Sequence, residues 1–229
     1  MMAGTASEWE EDKIGPALDT LQHPMTCLVC GPTMSGKTRF VGEIILRANA
    51  LINPAIQHVL YCYTEPQPYF QELATSSPVP ITFHQTLDEL DWDTSKPSLL
   101  IIDDFMALDS KDGPQEKQIA EFFIKRCHHQ NISVIYLVQN LFNKSPQHRV
   151  INLNAHYLVL FKNPRASSQI KTLAAQMYSG KARFMEEAYQ DATSQPYGYL
   201  FIDLKQGTPD HVRIRTQILD GRPIVYVPK

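Results

Sequence analysis

Short, nearly uninterrupted apolar runs recur along the chain, each closed by a polar or turn residue. The clearest are MTCLVC (25–30), HVLYCY (58–63), SLLIIDDF (98–105), ISVIYLVQ (132–139) and HYLVLF (156–161). Strands buried on both faces read this way, without the alternation of a half-exposed sheet. Between the runs the period changes. From Lys37 onward, Phe40, Ile44, Ile45 and Leu51 fall at roughly helical spacing. Gln115 to His129 predicts a helix with Ile119, Phe122 and Phe123 on one stripe. QIKTLAAQMYSG and KARFMEEAYQDAT predict two more, the first stopped by Gly180. ITFHQ predicts a short strand, and GYLFIDL (198–204) and VRIRTQI (212–218), joined by KQGTPD, predict a terminal hairpin. EPQPYF and SSPVP read as Pro-rich breaks, DSKDGP as a turn and TLDELDWDTSKP as an acidic connector.

Strands alternating with helices predict an α/β fold with a mainly parallel central sheet flanked by helices. Ligands on such sheets bind beyond the strand C-termini, so the chemistry is expected just after the apolar runs. Residues 1–24 read as an acidic lead-in, and residues 25–229 are expected to form a single domain.

Composition changes this picture little. The 229 residues are 43% hydrophobic and 20% charged, an ordinary globular balance. No apolar run reaches the ~18 residues of a membrane span. The first residues, MMAGTASEWEEDK, are acidic and lack an apolar core, so no secretory signal is expected. Four cysteines without framework spacing fit a reducing compartment. Charge is more informative. Residues 1–120 hold 7 Lys and Arg against 17 Asp and Glu, and residues 121–229 hold 14 against 7. The basic half is either part of a mixed surface or a face for nucleic acid or an acidic neighbour.

The candidate chemistry sits where the fold class puts it. Gly31-Pro32-Thr33-Met34-Ser35-Gly36-Lys37-Thr38 fits G-x-x-x-x-G-K-[ST] between a strand and a helix. Backbone N–H groups of such a loop wrap phosphate oxygens and the helix N-terminus adds its dipole. Lys37 would reach the β- and γ-phosphates of ATP, and the Thr38 hydroxyl would ligate Mg²⁺. About 65 residues on, Asp103 and Asp104 close an apolar run. Asp103 is expected to hold Mg²⁺ through its water shell, and Asp104 to accept a proton from the attacking water or orient it. Two carboxylates so close resist ionising together unless a cation is bound. The next apolar run ends in Gln139-Asn140, and Gln139 is the expected sensor of the γ-phosphate and the water. Cys27 and Cys30 are three apart on a strand and point to opposite faces, which excludes a shared metal. Cys127-His128-His129 lacks a second ligand pair at metal-site spacing.

Together these elements resemble the additional-strand P-loop ATPases of the FtsK–HerA superfamily. LLIIDDFM, KRCHHQNISVIYLVQNLF, INLNAHYLVLFKNPRASSQI and DATSQPYGYLFIDLKQGTPDHVRIRT resemble, more narrowly, the genome-packaging ATPases of Polinton/Maverick elements and adintovirus-like DNA viruses, relatives of the poxvirus-type packaging ATPase. The usual second acid in such ATPases is Glu, and here it is the shorter Asp104.

The resemblance implies a homo-oligomeric ring, a hexamer or pentamer, that drives double-stranded DNA into a viral capsid, in the virion or the infected cell. It implies a site between subunits, completed by an arginine from a neighbour. Arg126, Arg149 and Arg165 are the candidates, with Arg126 and Arg165 ranked first. Lys144, His148, Arg149, Lys162, Arg165, Lys181 and Arg183 are the candidate contacts to DNA phosphates, which carry little sequence information. A nucleotide or small-molecule kinase and an ATP-binding scaffold with little turnover are the competing readings.

Overall fold

The computed structural model describes residues 20–88, 90–105 and 114–228. Most of the acidic lead-in and most of the DSKDGP turn lie outside these residues.

Eleven strands occur among the described residues. Two of them, β1 (Leu21–Gln22) and β3 (Ile52–Asn53), form a small parallel pair. The other nine build one sheet: β2 (Thr26–Cys30), β4 (His58–Tyr63), β5 (Ile81–His84), β6 (Ser98–Asp103), β7 (Ile132–Val138), β8 (Tyr157–Phe161), β9 (Tyr199–Asp203), β10 (Ile214–Thr216) and β11 (Ile224–Tyr226). Their spatial order is β11-β10-β9-β8-β2-β7-β6-β4-β5. From β8 to β5 all pairings are parallel, and β9, β10 and β11 add an antiparallel extension. Two features of the sequence reading are therefore present: the parallel centre, and a hairpin of β9 and β10. The additional-strand expectation is met as well, because β7 lies between β2, which leads into the phosphate loop, and β6, which carries the aspartates.

The apolar runs are continuous because both sheet faces are covered. On one face Cys27, Val29, Tyr61, Ile101 and Ile135 pack under the helices Lys37–Leu46 and Tyr69–Ser76. On the other Leu28, Cys30, Leu60, Leu100 and Val134 pack under helices between Pro114 and Ala192. Cys27 and Cys30 thus enter different cores, and burial pushes the Cys30 thiol up to about 12.

The helix expected over Gln115–His129 spans Pro114–Glu121, a π-helical turn at Phe122–Arg126 and a last turn at Cys127–His129. Two helices escape the sequence reading. Tyr69–Ser76 begins beside the prolines taken as a break, yet proline is tolerated at a helix start. Pro146–Leu153 carries Pro146 in its first turn after Ser145, whose hydroxyl accepts from the His148 N–H at 3.4 Å.

Candidate functional site

The phosphate loop leaves β2 through Gly31, whose N–H donates to the Val138 carbonyl at 3.1 Å. A side chain at Gly31 would meet Ser35 Oγ at 2.6 Å and Phe161 Cβ at 2.7 Å, so only glycine fits. At the other end Gly36, with φ 103°, caps the helix Lys37–Leu46 without any side-chain cap. The first N–H groups of a helix have no partner inside it, and here no side chain replaces one. Ser35 Oγ is buried without a partner as well. Open donors at a helix N-terminus and a buried hydroxyl suit an anion in the loop.

Lys37 Nζ donates to the carbonyls of Gly31 (2.7 Å) and Pro32 (3.0 Å). Burial lowers its pKa, while the charges of Asp104 and Asp103 work in the opposite direction. Its ammonium is thus held at the loop, facing the two carboxylates.

Asp103 ends β6 and is 6% exposed. One of its oxygens, Oδ2, accepts from Tyr61 Oη at 2.9 Å and from Thr38 Oγ1 at 3.3 Å. Burial raises its pKa above the ordinary carboxylate value, and the Asp104 charge adds to this; hydrogen bonds from Tyr61 and Thr38 oppose it. The Thr38 hydroxyl and the Asp103 carboxylate are hard oxygen donors that fit Mg²⁺, which keeps several waters and takes one or two carboxylates.

Asp104 follows at φ 58°, a left-handed backbone that aspartate adopts more readily than most residues other than glycine, and is exposed. Gln139, one residue past β7, donates from Nε2 to Asp104 Oδ1 at 3.3 Å. Asn140 is turned elsewhere and accepts from Gln169 Nε2 at 3.4 Å. Gln169 Oε1 also accepts from the N–H groups of Leu141 (2.9 Å) and Phe142 (3.3 Å). The Leu141 carbonyl takes bonds from His148 Nε2 and Asn152 Nδ2, both at 3.0 Å. The segment that carries Gln139 is therefore clamped from below.

Thr33 to Phe40, Asp103 and Asp104 line one cleft of about 730 Å³, together with Glu43, Tyr63, Glu65, Phe161, Tyr197, Tyr199 and Leu219. The loop, both aspartates and Gln139 thus come together at one edge of the sheet.

The arginines do not join them within this chain. Arg126 lies before β7, at the edge where the parallel strands begin. Its Nε donates to Gln130 Oε1 at 2.9 Å and its guanidinium lies 4.3 Å from the Phe122 ring centre. Arg165 and Arg149 are exposed. Among the proposed DNA contacts, Lys144, Lys162 and Lys181 are exposed and Arg183 pairs with Glu187 at 2.7 Å. His148 is not a surface contact: it is 2% exposed and bonded to Leu141.

Sequence reasoning passed over Tyr61 and Tyr197. Tyr61 sits inside an apolar strand, where nothing separates it from a packing residue. Tyr197 sits in a turn and is told apart by a φ of 63° and by its exposure, neither of which the sequence displays.

No protein-family model matches the sequence, and no curated protein matches it either. Solved structures do resemble the fold. The genome packaging NTPase B204 from Sulfolobus turreted icosahedral virus 2, in complex with ATP-gammaS, is 14% identical with a TM-score of 0.51, over 90% of this chain and 98% of that one. Its sulfate complex is 13% identical with a TM-score of 0.52 over the same shares. The cytoplasmic domain of EssC is 15% identical with a TM-score of 0.50, over 90% of this chain and 40% of that one. At such identities the likeness is one of architecture: this chain has the phosphate-loop α/β fold of the packaging NTPase structures.

Proposed function

We propose that this chain hydrolyses ATP as one subunit of a ring-shaped motor that moves double-stranded DNA into a viral capsid. The observation that carries the reading is the convergence of three strand ends. Thr38 meets Asp103 at 3.3 Å, and Gln139 meets Asp104 at 3.3 Å, beside the loop that holds Lys37. A phosphate cradle alone serves many reactions. A cradle with two carboxylates and an amide aimed at its open end serves hydrolysis.

The loop N–H groups and the N-terminus of Lys37–Leu46 bind the phosphates. Lys37 exchanges the carbonyls of Gly31 and Pro32 for β- and γ-phosphate oxygens. Mg²⁺, held by Thr38 and Asp103, would neutralise charge on those phosphates when bound. Asp104 and Gln139 orient a water. Its oxygen attacks the γ-phosphorus, the bond to the ADP oxygen breaks, and Asp104 takes the proton. An arginine of a neighbouring copy, Arg165 or Arg126, would stabilise the transferring group. Arg165 is better placed to reach a neighbour, being exposed, while Arg126 is held by Gln130 and Phe122.

Low identity to the packaging NTPase leaves its cargo to inference. The DNA cargo, the ring of five or six copies, the capsid partner, the virion or infected-cell setting and the kinship with Polinton and adintovirus-like ATPases rest on the sequence strings given above and on the exposed lysines of the basic half. One observation favours a second reading, an ATP-binding scaffold. Asp104 is shorter than the glutamate usual at this place, so its carboxylate reaches less far toward an attacking water, although one of its oxygens stays open beside the Gln139 contact.

Steady-state ATPase assays with and without duplex DNA, on wild type and Lys37→Ala, decide between them. The motor should turn over faster with DNA and lose about 10²–10³-fold in Lys37→Ala. Turnover that ignores DNA and survives Lys37→Ala would sink the motor reading, and negligible turnover with tight ATP binding would favour the scaffold.

A further inference from the structure

The sheet order gives the bound nucleotide a direction. The strand β2, which feeds the phosphate loop, has β7 and β6 on one side and β8 and β9 on the other. The first side ends in Gln139, Asp103 and Asp104. A nucleoside triphosphate whose γ-phosphate faces those groups has to leave its base over β8 and β9. Because β9 runs antiparallel to β8, with Phe161 opposite Tyr199, the end of β8 and the start of β9 meet at this same edge.

That side of the cleft is lined by Phe161, Tyr197, Tyr199 and Leu219. Phe161 and Tyr199 are buried and pack on Phe40, with ring centres 5.8 and 4.7 Å away. Tyr197 differs. It is 71% exposed, and its left-handed φ of 63° is costly for a bulky residue. The turn is fixed from both sides. A side chain at Gly36 would meet the Tyr197 ring at 3.1 Å, and one at Gly198 would meet the Ala192 carbonyl at 2.4 Å. The backbone strain therefore serves to hold one exposed aromatic ring beside the phosphate loop.

Two polar side chains of this cleft are turned to other partners. The Tyr199 hydroxyl lies toward the backbone of Leu219 and Ile218. Glu43 pairs with Arg47 at 3.0 Å, and Arg47 also bonds the Leu219 carbonyl. The lining on this side, Phe161, Tyr197, Tyr199 and Leu219, offers a base mainly aromatic and apolar surface.

We propose that Tyr197 is the platform on which the nucleobase stacks, and that the site accepts nucleoside triphosphates with little preference among bases. This rests on the reading of the cleft as an NTP site. Stacking on an aromatic ring tolerates any base, because each has a π-face, whereas discrimination needs groups paired to the base edge.

The test is equilibrium binding of ADP, GDP and inorganic tripolyphosphate, with Mg²⁺, to the full chain by calorimetry. Wild type is compared with Tyr197→Asn, which keeps a left-handed backbone at low strain, and with Tyr197→Phe. Tyr197→Asn should weaken ADP and GDP alike by about tenfold and leave tripolyphosphate unchanged, while Tyr197→Phe restores both nucleotides. Wild type should hold ADP and GDP within about fivefold of each other. Unchanged ADP binding in Tyr197→Asn overturns the platform, and so does an equal loss of tripolyphosphate, which would make Tyr197 a support of the loop. Strong preference of the wild type for one base overturns the tolerance. If the wild type binds neither ADP nor tripolyphosphate, the NTP reading itself falls, and the platform with it.

Discussion

The two edges of the central sheet solve opposite problems. Where the parallel strands end, polar groups are left strained or open. Of the five non-glycine residues with positive φ among the described residues, Met34 and Tyr197 border the cleft there, as does Asp104, whose short polar side chain tolerates the angle. Ser35 Oγ is buried without a partner, and Asp103 holds a carboxylate that burial disfavours. Where the strands begin, polar groups are paired. The His23 ring bridges Ser133 Oγ (2.7 Å) and Asn131 Oδ1 (2.8 Å), and Ser133 Oγ also accepts from the Met25 N–H. Thr26 donates to the Asn154 carbonyl and, through its N–H, to His156. Among the described residues the positive φ at this edge falls on Asn131, and asparagine tolerates it. One edge is arranged for stability, and the other keeps unsatisfied groups for a ligand to satisfy.

The largest effect expected from breaking this division comes from Asp104→Asn. Asparagine keeps the shape and the left-handed backbone but cannot take a proton. Turnover should fall by about 10²–10⁴-fold. The melting temperature should stay within about 2 °C, since no buried contact is lost. Turnover within about threefold of wild type would remove Asp104 from the proton-accepting role.

These edges were unequally legible in the sequence. The loop, Asp103, Asp104 and Gln139 each follow a continuous apolar run, and strand order alone brings such positions together. The contact of Tyr61 with Asp103 had no such signal, because an aromatic inside HVLYCY reads as core and is core. Its hydroxyl meets the carboxylate only through the pairing of β4 with β6. Tyr197 was hidden for a different reason: its exposure and backbone angle belong to a turn fixed by Gly36 and Gly198, distant from each other in the chain. The helix Pro146–Leu153 did carry a signal, Ser145-Pro146, which was passed over. His148 was misjudged from its basic neighbours, since its helix turns it inward to the Leu141 carbonyl.

At the opposite edge the expected change is in stability. His23→Ala leaves Ser133 and Asn131 short of a partner, at a cost of about 1–3 kcal/mol. Each kcal/mol lowers the melting temperature of a domain this size by about 2–4 °C. Turnover per folded molecule, measured well below the transition, should not change. A loss of turnover with stability intact would mean that the two edges are not independent.

The smallest effect is in pH, where the two edges pull in opposite directions. Burial lowers the pKa of His23, His58 and His156 below the usual value of 6.5, so the folded state favours neutral rings. Such groups contribute stability above pH 6.5 that is lost as pH falls through that value, because the unfolded chain then binds more protons. Asp103 has the reverse sign. Its pKa is raised above the usual 3.8, so the folded state binds its proton more readily, and stability is lost as pH rises from 3.8 through the raised value. The melting temperature of wild type should therefore fall by a few degrees between pH 7 and pH 5.5. In His23→Gln the fall should be shallower, one of the three histidines being gone. In Asp103→Asn the fall should be steeper wherever Asp103 titrates in that range, because the opposing contribution is gone, and the melting temperature at pH 7 should be higher although turnover is lost. A melting temperature at pH 7 lower in Asp103→Asn than in wild type would show that the Tyr61 and Thr38 hydrogen bonds outweigh the burial of the charge, and that the cleft edge is stabilised by the same pairing as the opposite one.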